Sequence, residues 1–172
     1  MKESIPSMAE CDITLQLDNQ FCFVLYALSR KITALYRPLL QPLGLTYPQY
    51  LVMLVLWEAE AGPQQDDYEG VTVKHLCDRL QLDTGTLTPL LKRLESSGML
   101  RRNRSRSDER EVRIRLTEEG VALKDKARRI PMQMICNSAL PLDRILPLQQ
   151  ELRTLLLQVA DKEETRGLQT SA

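Results

Sequence analysis

Apolar residues return every three or four positions through Leu25, Leu28, Ile32, Leu35 and Leu39, the repeat of a stripe along one side of an α-helix. Pro42 and Gly44 follow as stop signals, and Asp18, just ahead of the pattern, is the expected N-cap. A second helix, from about Pro48 to Ala59, is apolar nearly all round (Leu51, Val52, Met53, Leu54, Val55, Leu56, Trp57), which suits a central buried element. The polar stretch from Gly62 to Gly70 reads as a loop. Thr72 then caps a short helix with Val73, Leu76, Cys77 and Leu80 on one face. A tight connection, Gln81 to Asp83, leads into a helix from Thr84 to about Ser97, whose buried stripe is Leu87, Leu90, Leu91 and Leu94. Two short helices joined this closely form a helix-turn-helix.

At Gly98 the helical repeat stops and the period drops to two. Val112, Ile114 and Leu116 alternate with Arg113 and Arg115, and Asn103 to Glu109 is polar and turn-forming, the pattern of a basic β-hairpin. Leu116, Thr117 and Val121 fit the staple and cap of another helix, which Pro131 should end or kink. From Leu142 to about Lys162 the residues Ile145, Leu148, Leu152, Leu155, Leu156 and Val159 form a long apolar stripe, available for burial against a second copy of the chain. The expected fold is mainly α with a small β-hairpin wing. A winged helix-turn-helix spans 72–117 inside one domain, 18–162, between a flexible leader, 1–17, and a flexible tail, 163–172.

Length agrees with that division, since 172 residues suffice for one well-buried core. The longest uncharged apolar run, Tyr50 to Trp57, is far below the roughly 18 residues that span a bilayer, so the expected location is the cytoplasm, with no membrane partner. Total charge is uninformative, at 23 basic and 23 acidic residues. Its distribution is informative: residues 92–115 hold nine Lys or Arg against four Asp or Glu, a net of +5. On a helix-turn-helix with a hairpin, that charge points to duplex DNA, with the second helix in the major groove and the hairpin tip at phosphates or the minor groove. Thr84, Thr86 and Thr88 can bond base edges or phosphates, Lys92 and Arg93 suit phosphate or guanine, and Arg104, Arg106 and Arg110 suit a narrow groove. Pro89, which removes a backbone bond and should bend the helix slightly, and Asp108 are counted with this surface. For the threonines, ordinary helix surface is the competing reading.

Four cysteines, Cys11, Cys22, Cys77 and Cys136, show no CxxC spacing, which speaks against a secreted disulfide framework and against a zinc site. His75 and Cys77 are two ligands without others nearby; no metal and no cofactor is expected. Cys77 belongs to an apolar face, and Cys11 to the leader. Cys22 is the candidate with chemistry. Behind an Asp18 cap it falls at about the fourth helical position, where the helix dipole favours a thiolate, and a thiolate attacks peroxides to give a reversible sulfenic acid. Tyr26, one turn on, could hydrogen-bond it. Tyr36, fourteen residues further along one continuous helix, would lie about 21 Å away, so any Cys22 it touches belongs to another subunit. An inert buried thiol and plain aromatic packing are the alternatives.

The segment DTGTLTPLLKRLESSGMLRRNRSRSDEREVRIRLTEEG (83–120), with its D-x-R wing signature at Asp108 and Arg110, resembles the MarR family of dimeric winged-helix regulators. FCFVLYALSR (21–30) and LYRPLLQPLGLTYPQYLVMLVLWE (35–58) resemble its organic-hydroperoxide-resistance (OhrR) branch, and together the segments cover roughly 18–160. The resemblance implies a homodimer on a pseudo-palindromic operator, with helices from 18–41 and 117–162 at the interface. It implies that Tyr36 and Tyr47 bond the reactive Cys22 across the dimer. Cys136, in IPMQMICNSALP (130–141), resembles the second cysteine of the two-cysteine type, which resolves the sulfenic acid as an intersubunit disulfide and so releases DNA. The resemblance thus implies organic hydroperoxide as the inducer and a regulator, not an enzyme. Two other readings stay open: a MarR-type repressor released by a small aromatic ligand, and a thiol peroxidase using Cys22 and Cys136.

Overall fold

The computed structural model describes residues 15–62, 68–105, 108 and 110–170, with side chains as far as residue 160. Most of the leader, including Cys11, and the residues 63–67 of the first loop lie outside the described residues. The chain divides into two compact units, Met1–Pro131 and Met132–Ala172.

In the first unit, helix α1 is Phe21–Leu40. It begins later than its cap signal predicts. Asp18 lies inside a 3-10 turn, Leu17–Asn19, and the residue that flanks α1 in extended geometry is Gln20. The turn is closed by Asn19 N–H to Gln16 O and Gln20 N–H to Leu17 O, at 3.1 and 3.0 Å, so Asp18 is not available as a cap. The stop signals act as expected: Pro42 sits in the 3-10 turn Gln41–Leu43, and Gly44 takes the left-handed conformation, φ 67°. Helix α2, Tyr47–Ala61, starts where the backbone N–H and the hydroxyl of Thr46 both bond Gln49 Oε1, at 2.8 and 2.9 Å. It buries Tyr50, Val52, Met53, Val55, Leu56 and Trp57, as its all-round apolar character requires.

Strand β1, Val71–Thr72, leads into α3, Val73–Leu80; α4 is Thr84–Ser96, β2 Leu100–Arg104 and β3 Val112–Leu116. The antiparallel sheet has the order β1-β3-β2, with Ile114 opposite Val71 on one side and Arg102 on the other. The first strand has no counterpart in the sequence pattern, being too short to show a period. Gly98, φ 76°, makes the turn out of α4, its N–H bonding Glu95 O at 2.9 Å. Leu76, Leu87, Leu94 and Ile114 are 0% exposed and Leu100 is 1%, so helix-turn-helix and sheet share one core with Met53 and Leu56 of α2.

Thr117 caps α5, Glu118–Ala127, its hydroxyl accepting the Gly120 N–H at 3.1 Å. Pro131 neither ends nor kinks that helix. The chain leaves α5 at Arg128 and Pro131 is the second residue of α6, Ile130–Ser138, where no N–H is needed. In the second unit α7, Leu142–Thr170, runs beyond the Lys162 that its stripe suggests. Among the described residues no single helix is long and apolar enough to cross a membrane.

Two sets of large apolar side chains remain on the surface of the single chain. Phe21, Val24, Leu25 and Leu28 do so on α1, and Leu146, Leu148, Leu155, Leu156 and Val159 on α7.

Candidate nucleic-acid interface and thiol site

The helix-turn-helix is held by short-range caps. Thr72 Oγ1 accepts the His75 N–H at 2.9 Å to open α3. Gln81 closes that helix in the left-handed conformation, φ 52°, with its amide on Asp78 O at 2.8 Å. Asp83 then caps α4: Oδ1 accepts the Thr86 N–H at 2.8 Å and Oδ2 the Thr86 hydroxyl at 2.7 Å. These bonds, the hydroxyl's foremost, hold the Asp83 carboxyl below its ordinary range.

The three threonines read as outward donors are therefore already engaged. Thr86 is committed to Asp83, Thr88 Oγ1 donates to Thr84 O at 2.7 Å, and Thr84 Oγ1 lies 3.8 Å from Cys77 Sγ. Their methyls and remaining lone pairs are what this face presents. Pro89, Lys92 and Arg93 are exposed further along the helix.

On the hairpin the structure sorts the arginines. Arg102 Nε bonds Glu95 Oε2 at 2.7 Å, which holds the Glu95 carboxyl below its usual range, and Arg113 pairs with Glu111. The guanidinium of Arg115 lies 5.5 Å over the ring of Tyr68. Arg101, Arg104 and Arg110 are exposed, while Arg106 falls outside the described residues. Asp108 shapes the tip: Oδ1 accepts the Arg110 N–H at 2.9 Å and its carbonyl the Glu111 N–H at 2.9 Å, so it presents Arg110. Sequence reasoning missed a contact at the tip end of β2, where buried Ser105 donates to Glu69 Oε2 at 2.6 Å. Thirty-six residues separate these two, with no local signal.

Cys22 is the second residue of α1, two places earlier than an Asp18 cap implies, and it is exposed. It still lies in the first turn, where backbone N–H groups lack intrahelical partners. The Tyr26 hydroxyl, one turn on, accepts from Arg30 Nη1 at 3.2 Å, and the guanidinium lies 5.5 Å over the ring.

Tyr36 and Tyr47 do come together across the turn at Gly44, with their rings tilted by 48°. Their ring centroids are 4.7 Å apart, and Tyr50, whose only part in the sequence pattern is to open the apolar run to Trp57, joins at 6.0 Å from Tyr36. Burial raises the pKa of Tyr36 and Tyr47, the neighbouring Tyr47 adding to the effect on Tyr36, and pushes Tyr50 to about 12. At ordinary pH all three are neutral hydroxyl donors. A pocket of about 730 Å³ opens beside them, lined by Arg30, Thr33, Ala34 and Arg37 of α1 and by Thr46 and Tyr47. Cys136, on α6, is exposed, and Cys77 is half-buried against the core. Among the described residues no three His, Cys, Asp or Glu side chains gather as a metal-binding set.

A recognition helix packed against its partner, a basic hairpin beside it and a core shared by both define a winged-helix DNA-binding regulator. Residues 34–127 match the family described as transcriptional regulator SarA/Rot. The organic hydroperoxide resistance transcriptional regulator of Bacillus subtilis (strain 168) is 47% identical over 142 residues, 83% of this chain and 90% of that protein. Among solved structures, reduced AbfR bound to DNA matches with TM-score 0.65 at 36% identity, covering 87% of this chain and 98% of AbfR. Disulfide-formed AbfR matches with TM-score 0.53 at 35% identity, over 87% and 99%. The chain belongs to the MarR/SarA family of winged-helix transcriptional regulators. Its relatives are regulators, not enzymes.

Proposed function

We propose that the chain is a peroxide-sensing repressor, which binds a pseudo-palindromic operator as a reduced homodimer in the cytoplasm and leaves it when Cys22 is oxidised by an organic hydroperoxide. The observation that carries this is the pairing of Tyr36 with Tyr47 as half-buried, neutral donors, Tyr36 lying towards the far end of the helix whose second residue is Cys22. Along continuous α1 the two ends are about 21 Å apart, so the tyrosines serve the partner's Cys22. The exposed apolar residues of α1 and α7 supply the surface for such a partner. The likeness to a hydroperoxide-resistance regulator agrees with the chemistry. So does the likeness to AbfR, which is solved reduced on DNA and with its disulfide formed.

In the reaction, Cys22 thiolate attacks the outer oxygen of ROOH, the O–O bond breaks, and the alkoxide leaves as ROH after taking a proton. The Cys22 sulfenic acid then condenses with the Cys136 thiol, forming an S–S bond and releasing water. Strain from that bond shifts the two recognition helices off successive major grooves about 34 Å apart. Thr84, Thr86, Thr88, Pro89, Lys92 and Arg93 face the major groove, and Arg104, Arg106 and Arg110, with Asp108 shaping the tip, serve the wing.

The test is a gel shift of the full chain on its own promoter, reduced and after cumene hydroperoxide. The parent should be released, Cys22→Ser should stay bound, and Tyr36→Phe and Tyr47→Phe should respond more slowly. Cys136→Ser should form no disulfide-linked dimer on a non-reducing gel. Release of Cys22→Ser by peroxide overturns the reading. A second reading, release by a small aromatic ligand, draws support from the pocket at Arg30 and Arg37. It requires that Cys22→Ser still be induced by that ligand.

A further inference from the structure

Trp57 is the chain's only tryptophan and stands at the end of a line of rings: Tyr47 to Tyr36 at 4.7 Å, Tyr36 to Tyr50 at 6.0 Å, Tyr50 to Trp57 at 6.3 Å. Its indole N–H is fully committed, donating to Gly120 O at 2.8 Å in a buried bond that spans 63 residues of sequence. From α5, Lys124 Nζ returns a bond to Trp57 O at 3.0 Å. The start of α5 is in turn locked onto the junction between α4 and β2. Thr117 N–H bonds Met99 O at 3.1 Å and the Thr117 hydroxyl bonds Gly98 O. A Cβ on Gly120 would lie 2.0 Å from Met99 O, so the two backbones pass as closely as glycine permits.

We infer that Trp57 is a positioning residue: through its bond to Gly120, α2 holds the end of the recognition helix and the root of the wing at the spacing that fits DNA, and transmits displacement of the tyrosine cluster to them. Tyr47 and Tyr50 lie on α2 with Trp57, so a disturbance at the tyrosines reaches the indole through one 15-residue helix rather than through a loop. A buried N–H with a single carbonyl partner loses its bond when either element shifts, so this contact is sensitive to displacement of α2 against α5. The inference rests on the peroxide-sensing reading and adds the route by which it reaches DNA.

The experiment compares parent, Trp57→Phe and Lys124→Met as full-length protein on the promoter fragment, reduced and after cumene hydroperoxide. The quantity read is the ratio of oxidised to reduced Kd. Phenylalanine keeps a ring in place and removes the donor, so this ratio should fall about fivefold, equivalent to about 1 kcal/mol of coupling. A merely structural role lowers the Tm and weakens both affinities together, leaving the ratio unchanged. In the parent, Trp57 emission should shift to longer wavelength on oxidation and stay fixed in Cys22→Ser, a readout that survives if Trp57→Phe does not fold. An unchanged ratio in Trp57→Phe and Lys124→Met, or an emission spectrum indifferent to oxidation while DNA is released, overturns the inference and leaves the peroxide reading standing. A parent that keeps its DNA affinity after peroxide overturns both.

Discussion

Replacing Gly120 by alanine sets two effects of opposite sign against each other. Gly120 is the third residue of α5, and alanine in a helix is favoured over glycine by up to about 1 kcal/mol. The space is missing, however. The new Cβ would stand 2.0 Å from Met99 O, 3.1 Å from the Met99 carbonyl carbon and 3.2 Å from Leu116 Cδ2, whereas an ordinary carbon–oxygen contact is about 3.3 Å. More than an ångström must be found between two backbones. If Met99 retreats, its carbonyl leaves the Thr117 N–H; if Gly120 retreats, its carbonyl leaves the Trp57 indole and its N–H leaves Thr117 Oγ1. Overpacking of this kind costs about 1–3 kcal/mol, and each buried hydrogen bond given up about 1 kcal/mol more. With one or two such bonds lost and the helix gain subtracted, Gly120→Ala should destabilise by about 3 kcal/mol. At about 2–4 °C per kcal/mol for a chain of this size, Tm should drop by roughly 6–12 °C. The melt is best followed by Trp57 emission, which reports on the unit that contains the substitution. A Tm equal to or above that of the parent would refute the reasoning, because it would mean that the close approach at Met99 yields freely.

Leu94→Ala removes a 0% exposed side chain from the inner face of α4, and should cost about 2–5 kcal/mol, seen as a lower urea midpoint; a loss under 1 kcal/mol would mean that α4 is not seated in the core. Tyr50 has a folded pKa of about 12 against 10.0, so the folded state keeps its proton longer than the unfolded chain does. Its share of stability is complete below about pH 10 and is lost between pH 10 and 12, and the urea midpoint should fall across that window while tyrosinate absorbance at 295 nm rises late. A midpoint that climbs there contradicts the sign. Arg104→Ala and Arg110→Ala should each weaken DNA binding uniformly across sequences and reduce the slope of log K against log salt by about 0.9. A slope identical to that of the parent would remove these arginines from the phosphate contacts.

The parts of the fold that were legible in the sequence are those set by near neighbours. Thr72 and Thr117 cap helices three residues away, Gly44 and Gly98 turn the chain with positive φ, and the leucines of α4 recur on one face; each signal is complete within a few residues. Misreadings arose where local rules offered two answers. Asp18 is a good cap but lies within a 3-10 turn, and Pro131 is as acceptable at the start of a helix as it is at the end of one. The hydroxyls of Thr84, Thr86 and Thr88 have partners within a few residues along the chain, which a pattern of apolar and polar positions does not count. Contacts closed over distance left no mark at all: β1 on Ile114, Ser105 on Glu69, Trp57 on Gly120.

The thiol site lies between these extremes, and α1 explains why. A helix is a rigid ruler of about 1.5 Å per residue, so the fourteen positions from Cys22 to Tyr36 fix a separation no side chain of one copy can bridge. The ring pair Tyr36 and Tyr47, by contrast, is separated by eleven residues that include the left-handed turn at Gly44, which folds the end of one helix back on the start of the next. One spacing forbids contact within the chain and the other enforces it. The same ruler places the cysteine and the rings at opposite ends of α1, so two antiparallel copies of that helix would complete two identical sites at once. In the proposed homodimer that pairing has two-fold symmetry, and the apolar residues near Cys22, Phe21, Val24, Leu25 and Leu28, stand exposed on the segment that would cross the partner.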